Sequence, residues 1–226
     1  MKHKGAALLA ALMLAIMASG CHSVNSGELS STAENLPEKQ VEPVVDVETP
    51  DTDDEDALFQ QEADARIARQ FGADMAELHL DLNSTVLLQS ERLTSVLYEG
   101  TANVEGAAHP TTVLFSVNLD REQGKKVTLA DLVDVNDAFV ASVMENAAQT
   151  LDEAYGATVN TMTAEQWQAR LLVADTEQSG DCAAFSPDKT LTIYLEVPHA
   201  AGDVLAVAAL PWEQWSGFAK DSAYFA

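Results

Sequence analysis

Apolar and polar residues alternate through several stretches of the chain and predict β-strands that are covered on one face. The run "LHLDLN", residues 78–83, alternates strictly, and a period of two places all the apolar side chains of a strand on the same side. In the stretch 113–120, this arrangement leaves Ser116, Asn118 and Asp120 on the uncovered face. Strands are predicted over residues 78–83, 93–104, 113–120, 191–197 and 204–209.

Helical spacing of apolar residues predicts four helices. The first covers residues 56–71 and ends at Gly72, and the second begins at Asp137. Thr163 is the expected N-cap of the third, in "TAEQWQARLLV", and Pro211 opens a closing helix in "PWEQWSGFAK". A block of strands, then helices, then strands again predicts a single α+β domain with a largely antiparallel sheet and helices packed on one face.

The first 20 residues have the three zones of a secretory signal peptide. Lys2 and Lys4 are basic, residues 6–17 are apolar, and residues 18–20 are small. The apolar run is shorter than the about 20 residues that cross a membrane, so a cleaved signal is favoured over a membrane helix.

The cysteine that follows the small residues indicates a lipid anchor. The sequence "ASGC" resembles the bacterial lipobox, in which the cysteine receives a diacylglycerol and becomes the first residue of the mature protein. Acylation, with palmitate as one such chain, is therefore predicted at Cys21, which would hold the protein at the extracytoplasmic face of the cell membrane. A plain cleaved signal with a chance cysteine is the alternative. An alkylated Cys21 would leave Cys182 unpaired, as a small buried side chain, whereas a free thiol at Cys21 would allow a disulfide.

The charge of the chain restricts its partners. There are 12 basic and 36 acidic residues, and removal of Lys2 and Lys4 with the signal leaves a net charge of −26. Such a balance argues against nucleic acid and against electrostatic adhesion to anionic lipid. A cationic partner would be attracted, although an acidic surface that serves solubility alone is the other interpretation.

The acidic residues are concentrated ahead of the predicted domain. Eleven of them lie between residues 28 and 56, against the single base Lys39, and three prolines interrupt the segment. A disordered tether is therefore predicted over residues 21–56, followed by one domain of 170 residues over 57–226. That domain has 9 bases against 25 acids, a net charge of −16.

Two segments carry a specific pattern of turns and strands. Residues 105–133 contain a "GAAH" turn at 106–109, a "VNLD" strand end, and "LADL" at 129–132, and residues 197–215 contain "PHAAG" and "PWEQW". The pattern resembles the family of extracytoplasmic domains found at the C-terminus of the anti-sigma factor RsiV and in the peptidoglycan deacetylase PdaC. The chain differs at Ala107, His199 and Trp212, where the family has Gly, Tyr and Tyr.

The resemblance implies a binding domain. The family domain of RsiV grips lysozyme, a strongly basic protein, and an acidic chain suits a partner of that kind. The chain contains neither a sigma-binding segment before its apolar run nor room for a deacetylase domain, which leaves binding as the expected function. His109, His199 and Trp212 are the candidate ligand-binding residues, because they lie in the two matching segments. Structural roles in the turns and in the core are the alternatives for these three residues.

Two other functions stay open. A peptidoglycan-binding or cell-wall-processing accessory protein would use aromatic side chains to stack on sugars. An uncharacterised hydrolase would need Glu105, Asp131 and the histidines to come together. No zinc-type histidine spacing and no nucleophile elbow is present, so no enzyme activity, metal or cofactor is expected.

Overall fold

A computed structural model of the protein describes residues 44–50, 52, 55–72, 75–150, 161–197 and 204–226. The predicted signal peptide, Cys21, most of the predicted tether and His199 lie outside these ranges. Across them, no helix has both the length and the apolar character of a membrane span. The elements in chain order are β1 Val44–Val47, α1 Asp56–Phe71, β2 Leu78–Gln89, β3 Leu93–Val104, β4 Thr111–Asp120, β5 Lys125–Val127, α2 Leu129–Leu132, α3 Asp137–Thr150, α4 Ala164–Val173, β6 Cys182–Phe185, β7 Leu191–Glu196, β8 Val204–Leu210 and α5 Trp212–Trp215.

The predicted α+β fold is confirmed, with its strands divided between two sheets. The larger sheet has the order β1-β2-β3-β4-β5, and only the β1–β2 pair is parallel. Helix α1 covers one face of this sheet through Phe59, Ala63 and Ile67, all of which are buried. The alternation in β2 is confirmed, because its leucines at 78, 80 and 82 face the helix while the intervening side chains are exposed.

The smaller sheet, β6-β7-β8, is antiparallel throughout and forms a second core with α3 and α4. Thr163 caps α4 as predicted, since its hydroxyl accepts from the backbone N–H of Gln166. The side chain of Gln166 in turn accepts from the backbone N–H of Thr163, which completes a capping box. The predicted closing helix is shorter than expected: α5 ends at Trp215. Gly217 follows in a 3₁₀ turn, and Ala219 then forms an isolated bridge. Glycine is a poor helix former, which explains why the helix does not continue.

The prediction that the polar side of β4 is open to solvent is wrong. Ser116, Asn118 and Asp120 are all buried. Strand β6 lies over Ser116 and Asn118, whereas Asp120 contacts Gln123 and the hydroxyl of Tyr224. Ser116 Oγ and Asn118 Nδ2 donate hydrogen bonds of 2.7 and 2.8 Å to the carbonyl of Ala183. On β3, Ser95 Oγ accepts from the backbone N–H of Phe185 at 3.2 Å. We call this set of contacts the β6 seam.

The predicted boundary between tether and domain, at residue 56, is also wrong. Strand β1 lies within the predicted tether and pairs with β2. Thr52 is fully buried, and its hydroxyl donates to the carboxylate of Asp56 at 2.6 Å. Glu55 accepts from Arg121 Nε at 3.0 Å and from Thr94 Oγ1 at 2.7 Å. The acidic composition that predicted disorder therefore includes side chains with specific partners in the domain.

Deletion of residues 44–56 tests this boundary. A fragment over 57–226 should have a lower free energy of unfolding than one over 44–226, by about 1–3 kcal/mol, because it lacks the charged hydrogen bonds of Glu55 and the pairing of β1. Glu55→Gln in the longer fragment should reproduce part of the loss. Urea denaturation followed by tryptophan fluorescence measures the free energy of unfolding of each protein. Equal stability of the two fragments would support the predicted start of the domain at residue 57.

Candidate functional site

The face of the five-stranded sheet opposite α1 presents a group of exposed carboxylates at its β1 edge. Asp46 on β1 and Asp81 on β2 are register partners, so their side chains lie next to each other on the same face. His79, Asp81 and Asn83 project from β2 between Asp46 and the exposed side chains of β3. We define the acidic face by Asp46, His79, Asp81, Glu99, Thr101 and Asn103.

The acidic face carries uncompensated negative charge. Within the described ranges, Asp46, Asp81 and Glu99 take part in no ion pair. Like charges opposite each other on neighbouring strands destabilise a sheet. A groove of about 310 Å³ runs between the two aspartates and is also lined by His79 and Thr101. Val44, which is 55% exposed, adds an apolar edge to this groove.

The predicted site residues that can be located do not come together. His109 is exposed in the turn between β3 and β4, whereas Trp212 packs beside Phe225 and Trp215. Tyr224, the neighbour of Phe225, donates a hydrogen bond to Asp120 at the far end of β4. Ten residues of extended strand span roughly 30 Å, so His109 and Trp212 lie towards opposite ends of the sheet.

Trp212 is part of an aromatic cluster. It is half-buried, its ring centroid lies 4.7 Å from that of Trp215 in an edge-to-face arrangement, and Lys189 Nζ lies 5.5 Å from its centroid. Trp215 and Trp167 are buried in the same core. Core packing therefore describes Trp167 and Trp215, and Trp212 is the one member of the three that keeps part of its surface exposed.

The residues proposed for a hydrolase have other environments. Asp131 belongs to the capping box of α2, where its carboxylate accepts from the backbone and hydroxyl of Thr128. Glu105 is exposed after β3. His79 shares the groove with Asp46 and Asp81, but no hydrogen bond joins its ring to either carboxylate. Among the described residues, no group of three or more potential ligands could hold a metal ion.

A buried polar cluster next to the β6 seam was not predicted from the sequence. Asp175, 1% exposed, follows α4 with a left-handed φ of 65°. Its carboxylate lies within hydrogen-bonding distance of Ser116 Oγ at 2.9 Å and of the backbone N–H groups of Ala183 and Leu129, both at 3.0 Å. Burial raises the pKa of Asp175 to about 6, although these hydrogen bonds oppose the shift.

The hydrogen-bond geometry of Ser116 agrees with a raised pKa of Asp175. Its hydroxyl lies near two acceptors, Asp175 Oδ1 and the carbonyl of Ala183, but it has a single proton. A protonated Asp175 could donate to Ser116 while Ser116 donates to Ala183. Cys182 is a fully buried thiol that forms no disulfide with any described residue, and burial raises its pKa to about 12. The contacts of Asp175 join β4, β6 and the start of α2, which is a structural role.

Only part of the acidic face could be predicted from the sequence. The alternation in β2 places His79 and Asp81 on the outer side, as predicted for a strand covered on one face. Asp46 was assigned to the tether, so its position beside Asp81 could not be inferred. Two β-branched residues before an acidic residue and one after it, "VVDV" over residues 44–47, are the signal that could have indicated a strand.

Comparison with known proteins gives few matches. No family model matches the chain, and no curated protein matches it. Similar solved structures include DUF3298 family proteins from Pseudomonas aeruginosa PAO1 and from Bacteroides fragilis NCTC 9343. Each is 18% identical; the matches cover 65% and 73% of this chain, with TM-scores of 0.39 and 0.42. The chain covers 63% of each of those two chains, which is less than two thirds of their length.

The raised pKa of Asp175 predicts a pH-dependent stability. Its native pKa lies above the value of about 3.9 in an unfolded chain, so Asp175 stabilises the fold below pH 4, and this contribution is lost as the pH rises through 6. The stability advantage of the wild type over Asp175→Asn should shrink by about 2–3 kcal/mol between pH 4 and pH 7. Urea denaturation at intervals of one pH unit measures this difference.

Cys182→Ala is the control for that experiment, because the buried thiol stays neutral throughout the range and its loss should not change the slope with pH. Parallel profiles for the wild type and Asp175→Asn would mean that the native pKa of Asp175 is not raised above its value in the unfolded chain, which would contradict the prediction.

Proposed function

We propose that the protein is an extracytoplasmic binding protein, held at the cell membrane by a lipid on Cys21, whose acidic face captures a cationic protein. Lysozyme is the test ligand. The proposal is supported by the net charge of −16 over residues 57–226, by the exposed carboxylates of the acidic face, and by the resemblance to the RsiV C-terminal domain family.

The observation that carries the proposal is the juxtaposition of Asp46 and Asp81. Two carboxylates on opposite positions of neighbouring strands repel each other, and neither has a basic partner among the described residues. An arginine or lysine from a partner protein would relieve this repulsion on binding. Complementary charge of this kind accelerates association and selects the partner. The exposed Val44 would add apolar contact at the rim of the groove.

The membrane anchor is a separate part of the proposal. Cys21 would carry the lipid, and the residues between it and β1 would provide the reach between the membrane and the binding domain. A peptidoglycan-binding or cell-wall-processing role is the second candidate, and the binding experiment below distinguishes it from protein capture without relying on the anchor.

Charge removal at the acidic face tests the function. Calorimetric titration of the purified full-length protein with lysozyme at physiological ionic strength should show saturable binding that weakens as salt is added. The double variant Asp46→Asn/Asp81→Asn should bind at least about tenfold more weakly, because it removes the two opposed charges.

The matched control is Glu145→Gln/Glu213→Gln, which removes two charges from exposed positions on α3 and α5. It should keep the affinity within about twofold. Equal losses of affinity in both double variants would mean that net charge alone, and not the acidic face, attracts lysozyme. Absence of saturable binding would rule out lysozyme as the ligand. Binding to purified peptidoglycan sacculi in a sedimentation assay, without binding to lysozyme, would favour the second candidate.

A further inference from the structure

A second concave site lies away from the acidic face, where α1 meets the loop that joins α4 to β6. It has a volume of about 260 Å³, and two arginines of α1, Arg66 and Arg69, form one wall. Gly180 and Glu196 form the wall opposite, and Leu114 and Val204 contribute apolar surface. The pocket therefore combines two basic groups, one carboxylate and an apolar patch within a small volume.

Arg66 is buried without an ion-pair partner and with one of its N–H donors unpaired among the described residues. Only 8% of its surface is exposed, and it takes part in no ion pair within the part of the chain that the structure describes. Its Nη1 donates to the carbonyl of Thr176 at 3.3 Å, but its buried Nε has no acceptor among the described residues. An unpaired buried charge is costly to a fold. Burial, and next the charge of Arg69, lower the pKa of Arg66.

The opposite wall is built by the loop between α4 and β6 and by the last residue of β7. Gly180 lies against the carboxylate of Glu196 so closely that a side-chain carbon at position 180 would come within 2.0 Å of Glu196 Oε2. The backbone of Glu196 is fixed by the Arg170–Asp181 ion pair, because Asp181 accepts from its N–H at 2.9 Å and Arg170 donates to its carbonyl at 2.6 Å. Glu196 is thus positioned near Arg66, although the two form no ion pair.

The charges of the pocket select the kind of ligand. Arg66 and Arg69 contribute two positive charges and Glu196 one negative charge, so the balance within the pocket is one positive charge. A monoanion neutralises it, whereas a phosphate dianion would leave an excess negative charge beside Glu196. The planar guanidinium group matches a carboxylate in geometry, since it can offer two parallel N–H donors. Leu114 and Val204 would contact an apolar stem.

We infer that this pocket binds a small monocarboxylate with an apolar stem, with Arg66 as its principal contact. On binding, the guanidinium of Arg66 gains the anionic partner that it lacks among the described residues, and Arg69, which is exposed at the rim and donates to the carbonyl of Ser179 at 3.4 Å, gives the second positive charge. The carboxylate belongs either to a free short-chain acid or to the C-terminus of a peptide. The site is independent of the proposed capture of a cationic protein.

The test is a titration of the isotopically labelled full-length protein, followed by the NMR signals of Arg66 Nε–H and of the Gly180 amide. Butyrate should shift both signals saturably with a dissociation constant of about 1 mM, while butyramide, which has the same shape without the charge, should bind at least tenfold more weakly. Phosphate should also bind more weakly than butyrate. N-acetyl-trialanine and its C-terminal amide form the peptide arm, and the preference between this peptide and butyrate identifies the source of the carboxylate.

Arg66→Met separates binding from folding. Because methionine fills the space of a buried unpaired charge, this variant should match or exceed the thermal stability of the wild type and should lose at least tenfold in butyrate affinity. Lys125→Met, which removes an exposed charge outside the pocket, should change neither quantity. If Arg66→Met does not fold, Arg69→Gln, at an exposed position, should still weaken binding about threefold.

Equal binding of butyrate and butyramide, or an equal loss in Lys125→Met, would overturn the inference. So would phosphate binding as tight as that of butyrate, because it would show a general anion site. Absence of saturation by both butyrate and the free-carboxylate peptide at 100 times the expected dissociation constant would exclude a carboxylate site.

Discussion

The outer edge of β6 is closed by side chains, and the arrangement of the two sheets depends on this closure. The backbone groups of Ala183 and Phe185 that face away from β7 would be unpaired at the edge of the small sheet. Ser95, Ser116 and Asn118 reach them from the polar side of β3 and β4, and Asp175 accepts from the N–H of Ala183. Because buried backbone groups need partners, these side chains fix how β6 lies on the larger sheet.

The seam also positions the loop between α4 and β6, and through it the monocarboxylate pocket. The carboxylate of Asp175, a residue in the left-handed conformation, contacts Ser116 on β4 and Ala183 on β6. Its backbone N–H donates to the carbonyl of Asp181. The carbonyl groups that contact Arg66 and Arg69 lie on this loop. Helix α1 covers only one face of the large sheet. The uncovered region at β1 and β2 is the acidic face, so each proposed site occupies a place that the packing leaves open.

Local patterns predicted most of the elements but few of the contacts between them. The alternation in β2, the bounds of α1 and the Thr163 cap are properties of short segments, and all were confirmed. The polar side of β4 and the tether boundary were predicted wrongly, because Ser116 and Glu55 find partners 67 and 66 residues away in the chain. The arginine pocket joins residues 110 positions apart, and no spacing within the sequence indicates it.

Amide hydrogen exchange at Ala183 and Phe185 tests the seam most directly. If side chains of the large sheet hold the edge of β6, both amides should exchange only through global unfolding, at the same free energy as the central amides of β3. They should also lose this protection together when Ser116 is replaced by alanine. Exchange of both amides in the wild type through local opening, while β3 stays protected, would show that the two sheets are not held together by the seam.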